Sequence, residues 1–271
     1  MNLLNIVKKL EGLSNQQRFL VITEMLTEWQ VAYSVQEYAT GKNIIVNGVG
    51  KKKVVGISSH FDVVHGSPGA NDNGTAVAVC LNMLHLLKTH SFKSFGVSVL
   101  FFDEEEYGLK GSKAYVKQYG IEKFVGVINI EMVGQGDKFA LWQVNEQGKG
   151  VVMETFEATA ASLGFYTRRF DKIVTNTSDQ MSFLNAGLED VFSLTLISDM
   201  DLQVAYNFYM AQSGGADVRT LEGIMDKAPL FKHYHKPTDL AVHLNEESLQ
   251  TASRVIWETL VRLDEGGVAC I

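Results

Sequence analysis

The run Val97-Ser98-Val99-Leu100-Phe101-Phe102 carries almost no polar alternation. Successive side chains of a strand point to opposite faces, so a near-continuous apolar run reads as a strand covered on both sides. Val125 to Ile130 has the same character, and Val191 to Ile197 and Lys53 to Phe61 read as further strands. Helical spacing lies between them: Thr75 to Lys88 with Val79, Met83, Leu84 and Leu87 on one face, then Gly111 to Tyr119, Val151 to Leu163 and a short helix at Asp179 to Ala186. Glu246 to Leu263 closes the chain as an amphipathic helix. Strands that alternate with helices of this length predict a three-layer α/β/α sandwich with a mostly parallel, mixed central sheet.

The flanks are weaker in pattern. Leu3, Leu4, Val7 and Leu10 fall at helical spacing, and Ser14 is a candidate N-cap for a helix from Asn15 to about Gln30. Short strands are expected at Val31 to Glu37, Asn43 to Asn47 and Phe139 to Val144. The segment 199–229, rich in Met, Tyr, Phe and Gly, fits the α/β rhythm poorly and is expected as a lid insertion in one domain spanning 1–271. Three prolines, 46% hydrophobic residues and no low-complexity stretch favour that single domain.

A formal charge of -7, with no basic stripe, argues against a nucleic-acid partner. No run of apolar residues is long enough to span a membrane, and Met1 to Leu13 has no leader-like pattern, so a cytoplasmic protein is the expectation. Cys80 falls on a helical pattern and Cys270 is next to last, which makes a disulfide framework improbable.

The chemistry clusters where the apolar runs stop. Lys53 to Phe61 delivers His60 and then Asp62, and a glycine-rich turn presents Asp72 before the following helix. Asp103-Glu104-Glu105-Glu106 follows one buried run and Glu131 follows another. His233-Tyr234-His235 stands shortly before the last helix. In open α/β sheets, ligands bind outside the carboxyl ends of the strands, so these groups can converge on one edge. Singly, each has a bland explanation. Four acids in a row are usually a solvated turn, and a lone histidine is usually a surface or core residue. Their order together points to a metal site.

The set HxD, GANDNGTA, EExGLxGS, NxEMxG and YHxxxD resembles the co-catalytic di-zinc exopeptidases. That family includes bacterial leucine-type aminopeptidases, glutamate carboxypeptidase and, more distantly, glutaminyl cyclases. The resemblance runs from about Lys53 to the final helix. It implies that His60 and Glu131 bind one zinc, Glu106 and His235 the other, and that Asp72 bridges them. Asp62 would orient His60, and Glu105 would be the general base acting on an activated water. Tyr234 would stabilise the oxyanion, with a packed aromatic as the competing explanation. Asp239 would support the loop carrying His235 or cap a helix. Cobalt or manganese would suit the same nitrogen and oxygen ligands.

Three departures stand out. Glu131 occupies a position commonly filled by aspartate, the usual SDH reads Ser178-Asp179-Gln180, and the region before His233 is long. Glu104 is an extra acid, and His65 has no assigned role. The implied function is a zinc aminopeptidase acting on peptide N-termini, with Tyr206, Phe208, Tyr209 and Met210 of the lid closing over an apolar side chain. A carboxypeptidase, for which Arg168, Arg169 and Arg219 are sparse, a glutaminyl cyclase and a non-catalytic metal-binding module are the alternatives. Oligomeric state is open.

Overall fold

A computed structural model of the chain describes residues 1–48, 51–142, 150–170 and 178–266. Helices α1 (Leu3–Leu10) and α2 (Asn15–Glu28) precede strands β1 (Ser34–Glu37) and β2 (Lys42–Val46). Then follow β3 (Val54–His60), α3 (Thr75–Leu87), β4 (Gly96–Phe102), α4 (Lys110–Tyr119) and β5 (Phe124–Ile130). The chain continues with β6 (Lys138–Trp142), α5 (Val151–Ser162), β7 (Thr167–Phe170), α6 (Gln180–Asn185) and β8 (Val191–Ile197). Helices α7 (Asp199–Ser213), α8 (Val218–Met225) and α9 (Glu246–Glu265) complete it.

One eight-stranded sheet runs in the order β1-β2-β4-β3-β5-β8-β6-β7. Its middle block, β4-β3-β5-β8, is parallel, while β2 and β6 run antiparallel to it on either side. The two-faced burial predicted for Val97 to Phe102 is what the layers show. Val97, Val99 and Phe101 join Val55 and Ile57 in a core shared with α1, α3, α5 and α9. Leu100 and Phe102 join Val54 on the other face, against Tyr115 of α4 and Phe183 of α6. The parallel block matters for function because the carboxyl ends of four adjacent strands reach the same edge.

Some expectations need correction. The first short strand begins only at Ser34, not Val31, and β6 ends at Trp142, with Gln143 and Val144 outside the described residues. Strand β7 carries the charged pair Arg168-Arg169, which hides its period, and it pairs only with β6 at the sheet edge, where charge is tolerated. The segment 199–229 is mostly two helices. Ser198 and Asp201 form a capping box that starts α7, and Asp217 caps α8. Cys80 is buried and free on α3, and Cys270 lies outside the described residues. Among the described residues, no helix is long and apolar enough to cross a membrane.

Candidate active site

His60 is the last residue of β3 and only 1% exposed. Its Nε2 lies 3.3 Å from Asp72 Oδ1 and 3.4 Å from Glu131 Oε2. On the other side, His235 Nε2 lies 3.2 Å from Asp72 Oδ2 and 3.0 Å from Glu106 Oε2. Asp72 therefore offers one oxygen to each histidine. Donors bound at about 2.05 Å around a tetrahedral zinc stand about 3.3 Å from one another. The spacings within each half match the edges of such a polyhedron, and nitrogen with carboxylate oxygen is a donor set that zinc accepts. The donor set fits zinc, and among the described residues His60, Asp72 and Glu106, and His60, Glu105 and Glu131, come close enough together to hold an ion.

The turn that carries Asp72 is fastened from several sides. The Asp239 carboxylate accepts the backbone N–H of Asn71 at 2.8 Å and of Asp72 at 3.1 Å. Of the two roles expected of Asp239, these bonds are those of a helix cap: its carboxylate takes the first N–H groups of the helical turn Ala70–Gly74 that carries Asp72. Asn73 donates to Ile130 O at 2.9 Å and to Glu131 Oε2 at 2.7 Å, and Asn71 Oδ1 accepts from Gly134 N at 3.0 Å. The motif NDN thus sews the turn onto the end of β5. Glu131 is also held by Asn129 Nδ2 at 2.8 Å and Ser178 Oγ at 2.5 Å, so its longer side chain has a fixed direction.

Asp62, fully buried, ties two strand ends together. Its Oδ1 is 3.3 Å from His60 Nδ1, and its two oxygens accept the backbone N–H groups of Glu105 and Glu106 at 3.0 and 3.1 Å. A carboxylate on the far nitrogen of a histidine fixes the tautomer that leaves Nε2 for a metal. Glu104 sits in the left-handed region at φ 55° and bonds Lys110 Nζ at 3.1 Å, so the extra acid is engaged away from the cluster. His233 stacks flat on His243, with centroids 4.2 Å apart, and bonds Thr238. Of the two neighbouring imidazoles, only His235 joins the carboxylates.

The cluster holds more negative charge than its own cations balance. Burial raises Glu106 to about 7, with Asp72 adding to it. Burial also drives Glu105 well above the carboxylate range, and Asp179, Glu131 and Glu106 push the same way against His60. Asp179 is lifted to about 8 by burial, despite His60 and Ser112. Burial would depress His60, yet Glu131, Glu105, Asp62 and Asp72 raise it well above the usual imidazole range. His235, also opposed by burial, is raised to about 9 by Asp72 and Glu106. Asp72 is pressed upward by burial but held well below the carboxylate range by His235 and His60. A divalent cation bound there would supply the positive charge that such a crowd lacks and would lower the raised carboxylates and imidazoles.

Beside this cluster opens a cleft of about 560 Å³, its mouth included, with Met132, Trp142, Thr195, Phe231 and Tyr234 opposite the carboxylates. Tyr234 stacks on His235, ring centroids 3.7 Å apart. Burial, reinforced by the nearby carboxylates, pushes its hydroxyl far above the usual range, so it stays a proton donor. Among the described residues, none of the four expected lid side chains lines the cleft. Tyr206 and Met210 are 60% and 58% exposed, Phe208 is buried among its neighbours, and Tyr209 stacks on Phe170. The apolar wall comes from Trp142 and Phe231 instead. His65 is exposed and lines no part of the cleft, and among the described residues no arginine lines it either.

One residue beneath the site carries no motif. Arg18 of α2 is fully buried and donates to Phe61 O, Pro68 O and Gly69 O. Its only sequence signal is spacing: Arg18, Ile22 and Leu26 recur every four residues, which puts a charge on the buried stripe.

A model of peptidase family M28 matches residues 43–260. Aminopeptidase YwaD of Bacillus subtilis is 28% identical over 230 residues, 80% of this chain and 43% of its own length. Probable lipoprotein aminopeptidase LpqL of Mycobacterium tuberculosis is 26% identical over 208 residues, 72% of this chain and 40% of its own. The chain thus spans about two fifths of these curated relatives. Among solved structures, BSAP, a zinc aminopeptidase from Bacillus subtilis, superposes with a TM-score of 0.60 at 24% identity, covering 83% of this chain and 50% of that one. Porphyromonas gingivalis glutaminyl cyclase gives 0.72 at 16% identity, covering 96% and 94%. Both share the α/β fold.

Proposed function

This chain belongs to peptidase family M28, and from that premise we propose that it is a zinc-dependent aminopeptidase that hydrolyses N-terminal residues from peptides. The observation that carries the proposal is the pairing at Asp72, with one oxygen toward His60 and the other toward His235. His60, Asp72 and Glu131 would hold one zinc; His235, Asp72 and Glu106 would hold the second. Bound there, the two ions would lower the pKa of water to about 7 and polarise the scissile carbonyl.

The chain's own residues do the rest. Glu105 lines the cleft beside the residues that would hold the ions, where a carboxylate could take a proton from water and return it to the leaving amine. Asp62 positions Glu105 and Glu106 through their backbone while orienting His60. Tyr234, kept protonated, can donate its hydroxyl hydrogen to the oxygen that gains charge at the carbonyl. Glu131, which lines the cleft, would receive the substrate's free α-amine. Trp142 and Phe231 offer apolar cover to a substrate side chain.

The test is metal content measured beside a panel of aminoacyl anilides, N-blocked controls and peptides with N-terminal glutamine. Two equivalents of zinc and metal-dependent cleavage of unblocked substrates alone is the expected result. A second reading, glutaminyl cyclase, draws support from the near full-length correspondence with the Porphyromonas gingivalis enzyme. It would show as ammonia release from the glutaminyl peptides with every anilide intact, and that outcome would overturn the aminopeptidase proposal.

A further inference from the structure

The loop between His60 and Asp72 has to hold the two ligands at a fixed separation, yet no strand or helix runs from 61 to 69. A side chain from outside the family match, which begins at residue 43, spans it instead. Arg18 Nη1 donates to Phe61 O at 3.3 Å, and Nη2 donates to Pro68 O and Gly69 O, each at 2.8 Å. Phe61 stands between His60 and Asp62, and Gly69 opens the turn of Asp72. One guanidinium thus grips both ends of the loop. The fit leaves no room: a Cβ on Gly69, whose φ is 65°, would lie 2.4 Å from Arg18 Nη2. Asn15, one turn earlier on α2, adds a second hold by accepting from Val63 N at 3.1 Å.

Burying a guanidinium this completely is costly, and packing alone is better served by an apolar side chain of similar size. Arg18 makes no direct ion pair among the described residues; Nη1 and Nη2 donate to backbone carbonyls, while the buried Nε has no partner among the described residues, in the field of Asp72, Asp239 and Asp62. Three fixed donors in one plane suit carbonyls that converge from two parts of a loop, which a flexible ammonium cannot match. We propose that Arg18 is a positioning residue for the metal centre, setting the distance between His60 and Asp72 through the loop that joins them. This rests on the metal-binding reading of the site, and on no assumption about substrate.

The test uses the full chain stripped of metal and titrated with cobalt(II), whose visible spectrum reports ligand geometry. Two variants are compared with the wild type: Arg18→Met keeps the stem, and Arg18→Lys keeps the charge but loses the fork. Circular dichroism checks that each is folded, and the lysine variant carries the test if the methionine variant fails to fold. Both should bind cobalt about 10–100-fold more weakly with an altered spectrum, the range found when groups behind metal ligands are removed. A wild-type spectrum and affinity in Arg18→Met would overturn the proposal. Wild-type behaviour of Arg18→Lys with loss in Arg18→Met would overturn it too, because charge and not spacing would then be the contribution. A wild type that binds no cobalt would overturn the metal site itself, and the role of Arg18 with it.

Discussion

The two halves of the carboxylate cluster are built differently. The half around His60 sits on strand ends: His60 closes β3, Glu131 follows β5, and their side chains are 2% and 11% exposed. Around it, Asp62, Asn73, Asn129 and Ser178 fix each donor. The half around His235 hangs from a loop. That imidazole is 35% exposed, at φ 57°, and its contacts are Glu106, Asp72 and the stacked ring of Tyr234. A sheet edge gives preorganised donors, whereas a loop gives a ligand that is held largely by what it binds. The buried half should therefore be the tighter metal position, and Asp72 the only group common to both.

Substitutions can break that contrast. Asp72→Asn should have the largest effect, removing both metal equivalents and with them essentially all turnover; retention of one tight equivalent would show that Asp72 serves a single half. Glu105→Gln comes next. It should lower kcat by about 10²–10⁴-fold and leave both equivalents in place, measured by metal analysis beside steady-state kinetics.

His60→Ala and His235→Ala set the halves directly against each other. Losing the buried imidazole leaves Asp62, Asp72 and Glu131 uncompensated, and should destabilise the metal-free protein by about 3–5 kcal/mol in denaturant unfolding. Losing His235, which also faces buried Asp72 and Glu106 but stands where water can replace it, should cost less. Equal losses would erase the distinction. Asp239→Asn acts on both halves through the turn of Asp72. It leaves one acceptor for the N–H groups of Asn71 and Asp72 and turns an NH2 donor toward the other, so metal affinity should fall by about tenfold in both halves together. A loss confined to the His235 half would mean that Asp239 acts on its own loop after all.

Much of the buried half was legible because strand ends announce themselves. An apolar run that stops at His60, Phe102 or Ile130 and is followed by acids marks both the element and the edge it reaches. What stayed hidden depends on backbone partners or on mixed faces. Arg18 bonds carbonyls more than forty positions away, which leave no side-chain signature. The Asp239 carboxylate takes N–H groups of the turn around Asp72, far from it in sequence. Helices α7 and α8 bury only part of one face or none, so their apolar residues read as an irregular insertion. The wall of the cleft comes from Trp142 and Phe231, each from an element whose own pattern is short.

The central claim is that Asp72 joins two unequal metal positions, and stepwise metal binding tests it most directly. Calorimetric titration of the metal-free protein with zinc should show two equivalents, a tighter one and a weaker one. In His235→Ala only the tighter should remain, and in Asp72→Asn neither. A single equivalent in the wild type, or two undiminished equivalents in Asp72→Asn, would contradict the account.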